Sequence, residues 1–123
     1  MAQGLPMIIL VEDDDSLRSA LVAMLSVCGF QVRAFATAES ARDSAAWDDA
    51  ACLVVDVRLP GISGFDLLRW LRRSGHGLPA IVITAASSKR ARDEAAALGV
   101  AAYLEKPVHG NRLVTAIRKA ISS

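Results

Sequence analysis

The sequence predicts an α/β fold, a single five-stranded parallel sheet covered by helices on both faces. Two observations predict it. Three short apolar runs rich in β-branched residues, Met7 to Val11, Cys52 to Val55 and Ala80 to Ile83, punctuate the chain, and the segments between them switch to helical spacing. Continuous runs of that length read as strands buried on both faces. Regular strand-helix alternation in one short chain implies right-handed crossovers, and so parallel neighbours.

The remaining elements follow in order. After the first run, Leu17, Ala20, Leu21, Met24, Leu25 and Cys28 fall on one helical face, with Asp14 or Asp15 able to cap its start and Gly29 to end it. Gln31 to Phe35 alternates in polarity, as a half-exposed edge strand does, and Ala38 to Ala46, capped by Thr37, is an alanine-rich helix. Phe65, Leu68 and Leu71 mark a helix after Gly64, and Lys89 to Leu98 another, closed by Gly99. Ala101 to Glu105 supplies the fifth strand ahead of Pro107, and Leu113, Ala116, Ile117, Ala120 and Ile121 give the last helix its apolar face.

At 123 residues the chain is expected to form one domain, 1–123, with its core in 7–121. A hydrophobic fraction of 53% excludes intrinsic disorder. With 14 Lys plus Arg against 13 Asp plus Glu, the net charge of +1 offers no broad field for nucleic acid or an anionic membrane. Met1 to Pro6 lacks a signal-type pattern, and no apolar run approaches the ~20 residues that span a bilayer. Cys28 and Cys52 show no metal-ligand spacing or disulfide framework. The expectation is a cytoplasmic domain without membrane association. The chain stops with its last helix, which suits a stand-alone protein and an excised domain alike.

Ligands of open parallel sheets bind beyond the carboxyl ends of the strands. There the sequence places Glu12 and Asp13 after the first strand, Asp56 after the third, Thr84 after the fourth and Lys106 after the fifth. Each has an ordinary explanation alone, such as a helix start, a turn or a solvated lysine. Together they set three carboxylates, a hydroxyl and an ammonium around one sheet edge. Like charges ~5 Å apart repel by roughly 3 kcal/mol at an effective dielectric near 20, which a cation would relieve. An all-oxygen donor set favours a hard divalent ion, and Mg²⁺ suits one or two carboxylates plus water. Lys106 and Thr84 could then receive phosphoryl oxygens, with Asp56, in the most apolar setting, as nucleophile. Glu12 and Asp13 serve as the metal pair, and the main-chain carbonyl of Arg58 could complete the shell.

The ordered set Val11-Glu12-Asp13-Asp14, Val55 to Gly64, Ile83-Thr84-Ala85 and Tyr103 to Pro107 resembles the receiver domain of two-component response regulators, relatives of the chemotaxis regulators. The match runs from Met7 to Ile121. The resemblance implies a doubly wound, flavodoxin-like (βα)₅ fold with strand order 2-1-3-4-5. In it Asp56 accepts a phosphoryl group from a sensor histidine kinase or phosphotransfer protein. Mg²⁺ is held by Asp13, Asp56 and the Arg58 carbonyl, with Glu12 acting through water. Thr84 and Lys106 bind the phosphoryl oxygens, Tyr103 is the aromatic switch that moves with Thr84, and the Lys106-Pro107 peptide is cis.

The resemblance further implies slow self-catalysed hydrolysis of the aspartyl phosphate, gated by the side chains at Arg58 and Ala86. It points to output through Lys89 to Leu98, Ala102 to Glu105 and Asn111 to Ile121, by homodimerisation or partner docking. The local patterns VEDDDSLRSAL and GFQVRAFATAESA are similar to those of receivers that precede helix-turn-helix transcription regulators, an effector that this sequence does not contain. Alternatives are an interaction-only receiver and a phosphate shuttle or sink. A haloacid-dehalogenase-type phosphatase expects Asp where Arg58 stands, and a flavin-binding domain would meet repulsion from Glu12 to Asp15. Arg69, Arg72 and Arg73 read as dipole-favoured cations at a helix end, and His76 and His109 as turn residues without a metal role.

Overall fold

The structure, a computed structural model, describes residues 4–44 and 47–122. Five strands, β1 (Met7–Val11), β2 (Gln31–Phe35), β3 (Ala50–Asp56), β4 (Ala80–Thr84) and β5 (Ala102–Glu105), alternate with α1 (Asp15–Val27), α2 (Ala38–Arg42), α3 (Gly64–Arg73), α4 (Lys89–Ala97) and α5 (Gly110–Ser122). All neighbours pair in parallel in the order β2-β1-β3-β4-β5. The sheet is therefore the doubly wound, flavodoxin-like arrangement expected.

The alternation of side chains along each buried strand divides the core in two. Ile9, Val11, Leu53, Val55 and Val82 meet α3 through Phe65, Leu67, Leu68 and Leu71. Ile8, Leu10, Val54, Ile81 and Ile83 meet α1 and α5 through Leu21, Leu25, Leu113 and Ile117. Asp14 caps α1 by accepting from Leu17 N–H, and Ser63 caps α3 in a reciprocal box with Asp66. Parallel register aligns the strand ends: Val11 stands opposite Phe35 and Val55, Asp56 opposite Ile83, and Thr84 opposite Glu105. The residues that follow β1, β3, β4 and β5 thus emerge at one edge.

Several boundaries differ from the sequence expectation. β3 begins at Ala50 rather than Cys52, because Ala50 pairs with Met7 before the register shifts. α2 stops at Arg42, and Ala45 and Ala46 of the expected helix lie outside the described residues. β5 begins one residue later than expected, at Ala102, since Ala101 N–H goes to the carbonyl of Ala80.

Arg69 and Arg72 do more than face a helix dipole. Arg69 pairs with Asp66 and, across to α4, with Glu94, while Arg72 donates to the carbonyls of His76, Leu78 and Leu98. Trp47 is buried edge-on against Trp70, their centroids 6.2 Å apart. Among the described residues, no helix is long and apolar enough to cross a membrane.

Candidate functional site

The buried polar and charged residues of the described chain are Glu12, Asp56 and Thr84, and all three sit at the carboxyl edge of the sheet. Groups of this kind are excluded from a core unless they are paired or needed for chemistry. Asp56 and Thr84 are the last residues of the otherwise apolar β3 and β4, and Glu12 directly follows the apolar β1, so each polar residue falls where a strand ends and the loop turns away.

Carboxylate oxygens of Glu12, Asp13 and Asp56 all lie within 4.8 Å of one another, with Asp13 the exposed member. Lys106 reaches back from the end of β5 into this group. Its Nζ donates to Asp56 Oδ2 at 2.7 Å and lies 2.9 Å from Glu12 Oε1. The second contact is an ion pair without the alignment of a hydrogen bond, which leaves Glu12 Oε1 short of a directed donor. Glu12 Oε2 accepts from Asp14 N–H at 2.9 Å. Asp56 Oδ1 accepts from Arg58 N–H at 3.1 Å, so both oxygens of Asp56 are held and its rotamer is fixed.

Burial pushes the Glu12 carboxyl above its ordinary value, overcoming Lys106 and the Asp14 amide, which favour its charged form; the charge of Asp56 adds to the rise. Burial also draws Lys106 down, but its pairing with Asp56 and Glu12 outweighs that and holds the ammonium above its ordinary value. Three carboxylates face one ammonium, an excess of acidic groups. The donors are all oxygen and one is underused. This fits a hard divalent cation, with Mg²⁺ the natural candidate.

Thr84 Oγ accepts from Ala86 N–H at 3.0 Å, which fixes its hydroxyl at the head of the β4–α4 loop. The main chain of Lys106 is tied to the same residue, its N–H donating to the Thr84 carbonyl at 2.8 Å. Lys106-Pro107 is cis. Tyr103 is half-buried, and its hydroxyl donates at 3.1 Å to Ser87 Oγ, which also accepts from Arg92 Nη1 at 3.0 Å. The Arg58 side chain is exposed.

Sequence reasoning did not single out Ser87, Arg18 or Glu39. Arg18 Nη1 donates to the Glu12 carbonyl at 3.0 Å while its other arm holds Asp15 at 2.7 Å, bracing the loop that presents Glu12 and Asp13. A carboxylate three residues ahead of an arginine was its only sequence signal. Gly64, read from the sequence only as the residue before a helix and the end of the Val55 to Gly64 motif, is pressed against the main chain of Asp56.

Known proteins share this fold. The family model for the response regulator receiver domain matches residues 8–118. The chain belongs to that family and is a receiver domain of two-component response regulators. It is similar to the transcriptional regulatory protein FixJ of Azorhizobium caulinodans, 35% identical over 121 residues that span 98% of this chain and 57% of that protein. It is similar also to the C4-dicarboxylate transport transcriptional regulatory protein DctD of Pseudomonas aeruginosa, 37% identical over 117 residues, 93% of this chain and 25% of that protein.

Among solved structures, the non-phosphorylated HemR receiver domain from Leptospira biflexa matches with a TM-score of 0.89 at 30% identity, over 96% of this chain and 95% of that one. The chain spans about half the length of FixJ and a quarter of DctD. Receiver domains bind Mg²⁺ at an acidic pocket and interact with sensor kinases, and the acidic cluster of this chain is of that kind.

Proposed function

We propose that Asp56 is the phospho-acceptor and that Glu12, Asp13, Arg58, Thr84 and Lys106 serve it. The observation behind this reading is the double hold on Asp56, by Lys106 Nζ at 2.7 Å and Arg58 N–H at 3.1 Å, within a cluster of three carboxylates. Asp13, Asp56 and the Arg58 carbonyl would hold Mg²⁺, with Glu12 acting through water. Held there, Mg²⁺ would supply positive charge against the carboxylates and the transferring group.

The chain's own residues supply the rest. An oxygen of Asp56 forms the new O–P bond while the P–N bond of a kinase phosphohistidine breaks, its electron pair staying on the imidazole. Lys106, already charged and directed at Asp56, can follow a phosphoryl oxygen without being recruited from solvent. Thr84, whose Oγ accepts from Ala86 N–H, keeps its own proton to donate to another. Water later attacks the mixed anhydride, returning the Asp56 carboxylate and inorganic phosphate. The exposed Arg58 and small Ala86 set the access of that water.

Tyr103 serves as the switch residue. Its hydroxyl meets Ser87 three residues beyond Thr84, so a shift of the Thr84 loop moves its partner, and Ser87 ties both to Arg92 of α4. Output then passes through α4, β5 and α5, for homodimerisation or for docking a partner. We place the domain, 1–123, in the cytoplasm among transcription regulators, with a sensor histidine kinase or phosphotransfer protein upstream. Its net charge of +1 argues against direct nucleic-acid binding by this chain.

Intact-mass spectrometry after incubation with acetyl phosphate tests the reading. The expected result is a Mg²⁺-dependent phosphoryl adduct, stable in acid, labile in base and absent from Asp56→Asn. A wild-type protein that takes no adduct with Mg²⁺ present would favour a receiver that signals by binding alone.

A further inference from the structure

Glu39 lies in the first turn of α2, where a carboxylate ordinarily serves the helix dipole. Its side chain does something else. Oε2 accepts from Ile62 N–H at 3.1 Å, 23 residues further on, in the loop between β3 and α3. The space around it is closed, because Gly61, at φ +79°, faces the carboxylate so closely that a β-carbon there would collide with it. Oε1 is buried without a hydrogen-bond partner. Leaving a carboxylate oxygen unsatisfied away from water is costly, so the arrangement calls for a compensating role.

The loop from Val57 to Ser63 follows directly on Asp56. Its first end is tied by Arg58 N–H to Asp56 Oδ1 and by Gly64 N–H to the Val57 carbonyl, and its last by the Ser63–Asp66 capping box. Those ties lie within the β3–α3 segment, and Val57 N–H adds one to the Ile83 carbonyl of β4 at 3.3 Å. Glu39 adds a side-chain hold from α2 at Ile62, one residue before Ser63. Val57, Leu59 and Ile62 also pack against the core, so release of the Ile62 amide would loosen the loop rather than free it, and with it the Arg58 N–H that orients Asp56.

We infer that Glu39 is a positioning residue for the phospho-acceptor: by gripping Ile62 N–H it keeps the β3–α3 loop where Arg58 orients Asp56. This rests on the reading of Asp56 given above, and the test separates the two. Glu39→Ala removes the grip, whereas Glu39→Gln keeps a carbonyl acceptor for Ile62 N–H. Amide hydrogen exchange at Ile62 and Arg58, measured without Mg²⁺ or phosphodonor, reads the loop. The rate of adduct growth with acetyl phosphate, at a temperature where every variant is folded, reads the chemistry.

Glu39→Ala is expected to speed exchange at both amides and slow adduct growth, each by about tenfold or more, the scale of a lost bond to a charged group. Glu39→Gln is expected to restore both to near the wild-type values. Wild-type rates in Glu39→Ala, or equal loss in the Ala and Gln variants, would overturn the inference. If Glu39→Ala does not fold, Glu39→Asp, one methylene short of Ile62, is judged by the same two readouts. Absence of an adduct on the wild type would count against the role of Asp56, and the inference for Glu39 would fall with it, whatever the exchange data showed of the loop.

Discussion

Gly64 and Asp56 touch main chain to main chain: a β-carbon built at position 64 would run into the Asp56 carbonyl oxygen and lie 3.1 Å from Val55 Cγ2. The first residue of α3 can therefore approach the end of β3 only as glycine, and Gly64 N–H uses the approach to donate to the Val57 carbonyl at 2.9 Å. Close packing of helix start against strand end is what holds the backbone of Asp56 still.

Gly64→Ala must push α3 and Asp56 apart. The expected loss is ~1–3 kcal/mol in urea unfolding, the usual cost of overpacking, together with slower phosphorylation. Gly77→Ala is the control, since a β-carbon there meets nothing within 4 Å. It should stay within about 0.5 kcal/mol of the wild type, as surface changes do. Equal stability of the two variants would show that the contact at Gly64 imposes no constraint.

The raised Glu12 carboxyl makes a pH prediction for the metal-free domain. A group whose folded value lies above its unfolded one, here 4.5, contributes stability that is complete below that value and lost as pH rises through the folded one. Lys106 stays charged throughout that window, because its own value is raised above 10.5. With a chelator present, Glu12→Gln should therefore gain stability relative to the wild type on going from about pH 4 to about pH 7. Urea unfolding at both pH values measures it, and a stability difference that does not change with pH would contradict the burial argument.

Much of this was legible in the sequence, for physical reasons that differ by element. β1, β3 and β4 are buried on both faces, so their runs are continuous and stand out. α2 was overextended because alanine-rich sequence has high helix propensity and no clear face, while the helix ends after five residues. Glu12, Asp13, Asp56, Thr84 and Lys106 could be read because strand ends in a parallel sheet share an edge. Glu39, Ser87 and Arg72 could not, because their partners Ile62, Tyr103 and Leu98 lie 23, 16 and 26 residues away, and no local pattern encodes a contact of that range.

The central claim is that Asp56, rather than its neighbours Glu12 and Asp13, takes the phosphoryl group. Borohydride reduction of the acetyl phosphate-treated domain tests it directly, since hydride converts an aspartyl phosphate to homoserine and leaves free carboxylates intact. The account predicts homoserine at position 56 alone in the peptide mass spectra, and only when Mg²⁺ was present. Homoserine at Asp13 with Asp56 unmodified would contradict it.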